Sequence, residues 1–116
     1  MYNRVMDADE YQKLALRTLN SDLDKQKVLL NGAMGLCGES GEFIDALKKH
    51  MMHGHDLDRD HMIKELGDVA WYLAVSAHAL DCDLSEVFTR NIEKLKARYP
   101  EGFSEERSKN RAKNDD

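Results

Sequence analysis

This sequence predicts an all-α bundle, on three observations. Apolar residues recur every three or four positions along most of the chain. One proline, four tyrosines, three phenylalanines and one tryptophan among 116 residues offer few of the β-favouring aromatics and few helix breakers. Four carboxylates fall into two pairs at helical spacing, Glu39-x-x-Glu42 and Glu65-x-x-Asp68.

The first helix is expected from Asp7 or Ala8 to Leu19, where Tyr11, Leu14, Ala15 and Leu19 make an apolar stripe that Asn20-Ser21-Asp22 interrupts. The second starts between Asp22 and Asp24 and runs to about Met52, with Gly54 of His53-Gly54-His55 just past its last turn. Its seam is read as Leu30, Ala33, Cys37, Ser40, Ile44, Leu47 and Met51. Gly32, Gly35, Gly38 and Gly41 lie inside it, and a helical glycine costs about 1 kcal/mol relative to alanine. So many glycines call for close approach of another backbone, a kink, or a helix that begins only near Leu36.

The third helix follows Asp58 or Asp60 as N-cap and extends to Leu80, with the seam Leu66, Ala70, Leu73, Ala77 and Leu80. Glu65, Asp68 and Tyr72 occupy a different face. The fourth starts at Asp83, which has capping-box spacing to Glu86, and ends at Tyr99 before Pro100; Leu84, Val87, Phe88, Ile92, Leu95 and Tyr99 form its stripe. The chain is read as one domain over 1–103, followed by a charged tail over 104–116, frayed or disordered for want of apolar residues. No internal repeat is present.

Composition narrows the function classes. A chain of this length buries roughly two thirds of its unfolded surface around one core. The formal charge of −5 disfavours a nucleic-acid polymer as partner, because a phosphate backbone requires a basic face. Cys37 and Cys82 are too few for a disulfide framework and are read as small core residues; with no signal-peptide pattern, a cytoplasmic location is expected. No apolar run approaches the ~20 residues that cross a bilayer, so no membrane partner is expected. Without a G-x-x-x-x-G-K-[ST] loop, P-loop triphosphate chemistry is excluded.

The acidic pairs carry the chemistry. A single E-x-x-E pair is most often a solvated helix face, but two pairs in glycine-rich or apolar surroundings are not explained that way. Hard oxygen ligands without accompanying histidine or cysteine favour magnesium, or manganese in its place, over zinc. If the second and third helices fold back antiparallel around 53–60, the pairs come level to within one helical turn, roughly 5 Å. Glu39, Glu42, Glu65 and Asp68 would then form a four-carboxylate cage. A di-iron bundle would call for Glu-x-x-His motifs, which neither pair supplies. His50, His53, His55 and His61 match no standard zinc spacing and are read as solvated loop, and the methionines as core filler.

The run Gly35-Leu36-Cys37-Gly38-Glu39-Ser40-Gly41-Glu42, followed by Glu65-Leu66-Gly67-Asp68-Val69, resembles the MazG-like all-α nucleoside triphosphate pyrophosphohydrolases, over about Tyr11 to Phe103. The resemblance implies a four-helix MazG-like bundle with an antiparallel central hairpin. Apolar faces left over on so small a chain predict its completion by oligomerisation to a homodimer or homotetramer. The resemblance further implies Mg2+-dependent hydrolysis of a nucleoside triphosphate to monophosphate and pyrophosphate, a nucleotide-pool housekeeping reaction, with Glu39, Glu42, Glu65 and Asp68 as metal ligands and catalytic groups. Asn91, Lys94 and Arg98 are similar to the family's phosphate-binding positions. The two cations also suit an ordinary helix C-terminus complementing its dipole. Gln12 and Arg17 resemble positions near the base pocket, while Trp71 and Tyr72 either stack on a base or pack the core. A phosphoribosyl-ATP pyrophosphohydrolase and a noncatalytic helical oligomer are the alternatives.

Overall fold

The computed structural model describes residues 5–111. It is all-α: α1 (Ala8–Ala15), a 3-10 turn (Leu16–Thr18), α2 (Lys25–His53), α3 (Arg59–Ala79), α4 (Leu84–Arg98) and α5 (Glu105–Lys109). Two compact units divide after Leu84, and each is described by itself. No helix among the described residues is long and apolar enough to cross a membrane.

The first unit is built on a hairpin of α2 and α3. Asp24 caps α2 by accepting from the Lys27 N–H at 2.9 Å, and Asp58 caps α3 by accepting from the His61 N–H at 3.0 Å. Gly54 ends α2 at φ 75°, a left-handed conformation that costs glycine nothing, and the chain reverses within 54–58. The helices run antiparallel: Gly32 meets Ser76, Gly35 meets Tyr72, and Glu39 meets Asp68 and Glu65. The core of the unit is Val28, Val75 and Ala79, with Leu16, Leu19, Leu23, Leu29 and Trp71 packed against it.

α2 is continuous from Lys25, so the glycines neither delay nor break it. Two of them accommodate α3. A Cβ on Gly32 would lie 3.2 Å from the Ser76 Cβ and 3.3 Å from its Cα, and one on Gly35 would overlap the Tyr72 ring. One glycine thus admits a neighbouring backbone, the other an aromatic ring. Gly38 has nothing within 4 Å of the equivalent position. Gly35→Ala should therefore destabilise the chain by about 1–3 kcal/mol through overpacking, despite alanine's better helix propensity. Gly38→Ala should be neutral or stabilising by up to about 1 kcal/mol. Urea midpoints of the two variants, at unchanged slope, check the contrast.

This packing corrects the expected seams. The face that α2 turns to α3 carries Val28, Gly32, Gly35 and Glu39, whereas Leu30, Ile44 and Met51 of the expected seam are 60%, 58% and 70% exposed. On α3, Ala77 is buried but Leu66 and Leu80 are exposed. The periodicity identified apolar stripes, but the glycines cut the groove into which α3 settles. Cys37 lies on the exposed side rather than in the core, as do Met34, Met51 and Met52.

α1 is tied to the hairpin by two polar side chains. Gln12 is buried; its Nε2 donates to the carbonyls of Ala74 (3.1 Å) and Cys82 (3.2 Å), and its Oε1 accepts from the Leu84 N–H (3.0 Å). The Trp71 indole N–H donates to the Ala15 carbonyl (3.1 Å) and the Thr18 hydroxyl (2.9 Å), which holds the end of α1 where it tightens into the 3-10 turn. α1 therefore stops at Ala15 rather than Leu19.

In the second unit α4 ends at Arg98, the Tyr99 N–H donating to Leu95 at 2.8 Å before Pro100 intervenes. The Tyr99 and Phe103 rings meet tilted at 48°, with centres 5.4 Å apart. The segment expected to fray forms α5, capped where Ser104 accepts from the Arg107 N–H at 3.3 Å. Residues 112–116 of the expected tail lie outside the described residues.

Candidate metal centre

The hairpin register decides which acids meet. Glu39 projects from the α3-facing side of α2, level with the turn of α3 that carries Glu65 and Asp68. One oxygen from each of the three lies within 4.8 Å of the others. Glu39 and Glu65 are half-buried and Asp68 is exposed, so the group opens to solvent at one edge. Glu42 stands outside this trio, one turn nearer the hairpin loop. It lines a cavity of about 210 Å³ with Asp45, Lys49, His55, Asp58 and His61.

The electrostatics are those of crowded, uncompensated carboxylates. The Glu39 carboxyl holds its proton above the ordinary carboxylate range, first because it is partly desolvated, then through a hydrogen bond with Glu65 and the charges of Asp68, Glu65 and Glu42. Three hard oxygen donors converging with too much negative charge suit magnesium or manganese, so the residues present fit a divalent cation. Folded Glu39 stays protonated to higher pH than its unfolded counterpart. Its contribution to the stability of the metal-free chain is thus fully present below the unfolded pKa and lost as pH rises through the raised folded one. Urea midpoints measured on metal-free protein from about pH 4 to pH 7 should fall by less in Glu39→Gln than in wild type.

Two further residues border the centre that the sequence reading did not connect with it. The Tyr11 hydroxyl is held above the usual phenol range by partial burial and by the Asp68 charge, which places α1 beside the open edge. His61, expected in solvated loop, belongs to the first turn of α3, and its Nε2 lies 3.3 Å from Glu65 Oε1. The spacing His61-x-x-x-Glu65 was the available signal. His50 and His53 are also helical, at the end of α2, leaving only His55 of that cluster in the connection. Among the described residues no histidine joins a group of three potential ligands.

The expected base-contacting residues divide by what they already hold. The amide of Gln12 is engaged by three backbone groups, and the indole N–H of Trp71 by two acceptors. Tyr72 packs into the Gly35 gap and edge-on to Trp71, with ring centres 4.9 Å apart at 87°. Arg17 is exposed and lines a cavity of about 450 Å³ with Met6, Tyr11, Leu14, Ala15 and Thr18. Asn91, Lys94 and Arg98 lie on α4, Asn91 exposed and the two cations half-buried, in the second unit.

Comparison with known proteins identifies a family. The profile of the MazG nucleotide pyrophosphohydrolase domain matches residues 30–103, the stretch that contains both acidic pairs and α4. The gene 37 protein of Mycobacterium phage L5 is 37% identical over 114 residues, spanning 91% of this chain and all of the phage protein. No solved structure matches.

Proposed function

Because the chain belongs to the MazG nucleotide pyrophosphohydrolase domain family, we propose that it hydrolyses nucleoside triphosphates, deoxy or noncanonical ones, between the α and β phosphates. The products are a nucleoside monophosphate and pyrophosphate. The observation that carries this reading is the convergence of Glu39, Glu65 and Asp68 across the hairpin, a ready seat for Mg2+ or Mn2+. When bound there, the cation neutralises phosphate charge and polarises the reacting phosphoryl group.

The chain's own residues supply the rest. Glu42, next to the trio but outside it, accepts the proton of the attacking water, whose oxygen bonds to the α phosphorus as the bond to pyrophosphate breaks. On α4, Asn91, Lys94 and Arg98 are the candidate phosphate donors that the family resemblance implies; Lys94 and Arg98, four apart, share a face of that helix. The base enters the cavity beside α1, where Tyr11 adjoins Asp68 and Arg17 is free to reach a base edge or a sugar hydroxyl. Gln12, Trp71 and Tyr72 serve this pocket by holding α1 and α2 against α3.

Pyrophosphate and orthophosphate assayed separately over a panel of canonical and modified triphosphates, with phosphoribosyl-ATP included, test this reading. Pyrophosphate from at least one nucleoside triphosphate supports it; turnover of phosphoribosyl-ATP alone reassigns the substrate. The same reading includes a cytoplasmic, nucleotide-pool role and self-association through the apolar stripe of α2, where Leu30, Met34, Ile44 and Met51 are exposed. Sedimentation velocity should report a dimer or tetramer for wild type and a lower state for Ile44→Asp.

A further inference from the structure

We propose that His61 is a positioning residue of the acidic centre, its Nε2–H holding Glu65 in the orientation that faces Glu39 and Asp68. The inference rests on the metal reading above and adds to it a residue that lies outside both acidic pairs.

Two observations carry it. His61 Nε2 lies 3.3 Å from Glu65 Oε1, with Glu65 tucked in at 13% side-chain exposure and His61 outside it at 52%. The backbone of His61 is fixed by the helix cap, its N–H donating to Asp58 Oδ1 at 3.0 Å, so the hairpin turn sets where this side chain leaves α3. A ligating carboxylate left without an outer donor swings, and the loss of such a donor typically costs about 10–100-fold in metal affinity.

The alternative is an ordinary exposed helix pair, worth a few tenths of a kcal/mol to the fold and nothing to the metal. Direct Mn2+ binding to the full chain, followed by calorimetry or by the electron-paramagnetic signal of free Mn2+, separates the two. His61→Leu should weaken Mn2+ binding by about 10-fold or more. His61→Gln, whose amide nitrogen takes the place of Nε2, should remain within about threefold of wild type. Urea midpoints of the metal-free variants should match wild type, and at saturating metal kcat should return more fully than KM. A long-range 15N–1H correlation on the metal-free chain should show the Nε2–H tautomer.

Unchanged Mn2+ affinity in His61→Leu, beside a wild type whose binding is lost in Glu65→Gln, would overturn the positioning role alone. An equal loss in the leucine and glutamine variants would make His61 a ligand and overturn it too. No Mn2+ binding by wild type would overturn the metal reading, and this inference with it.

Discussion

Glu65→Gln is expected to lower turnover on the order of 10³-fold or more, with the fold intact. The substitution keeps the shape of the side chain and removes one of three charges that converge within 4.8 Å. Metal-derived charge stabilisation is worth several kcal/mol in a phosphoryl-transfer transition state, and each 1.4 kcal/mol is about tenfold in rate. In the metal-free chain the same change relieves like-charge crowding, so its thermal midpoint should hold or rise. Glu42→Gln should lose activity by about 10²–10⁴-fold for a different reason, the missing proton acceptor, and should bind Mn2+ nearly as wild type does. Steady-state kinetics beside direct metal titration of both variants separates ligand from base. Loss of metal binding in Glu42→Gln would return it to the cage.

Gln12→Leu should destabilise the fold strongly. Leucine fills a similar volume but strands the Leu84 N–H and deprives the Ala74 and Cys82 carbonyls of a donor, in a buried place. Each stranded polar group costs about 1–3 kcal/mol; because a helix carbonyl keeps other partners, we expect about 2–4 kcal/mol in all. On a domain of this size each kcal/mol lowers the thermal midpoint by roughly 4–8 °C. A base-contacting glutamine would behave otherwise: its loss would raise KM and leave the midpoint alone. Thermal melts of Gln12→Leu with KM measured below the transition discriminate the two.

The legible parts of this protein are those written locally. Helical periodicity, a helix start between Asp22 and Asp24, a cap at Asp58 or Asp60 and the stop at Gly54 depend on residues within a turn or two of each other, and the structure has them, with Asp24 and Asp58 as the caps. The antiparallel hairpin, expected as the condition under which the acidic pairs come level, is present. The acidic pairs stood out because each is a three-residue spacing on one face. What the sequence withheld depends on register. The expected α2 seam runs through Leu30, Ala33, Cys37, Ser40, Ile44, Leu47 and Met51, yet α3 packs where Gly32 and Gly35 leave room, and Leu30, Ile44 and Met51 remain outside. Register also decides which acids converge, a distinction that symmetric spacing cannot reveal: oxygens of Glu39, Glu65 and Asp68 lie within 4.8 Å of one another, while the Glu42 charge acts on Glu39 from the next turn. Gln12 carried no local mark of its burial, because its partners lie at the end of α3 and the start of α4. His61 carries a local signal, four residues before Glu65 on one helix face, although its spacing fits no standard zinc pattern.

Hydrolysis between the α and β phosphates is defined by its products. Phosphorus NMR of wild-type protein with its best triphosphate and Mg2+ should show monophosphate and pyrophosphate appearing in equal amounts, stopping on addition of EDTA and resuming with excess Mg2+. Diphosphate with orthophosphate, or pyrophosphate release that EDTA does not slow, would contradict it.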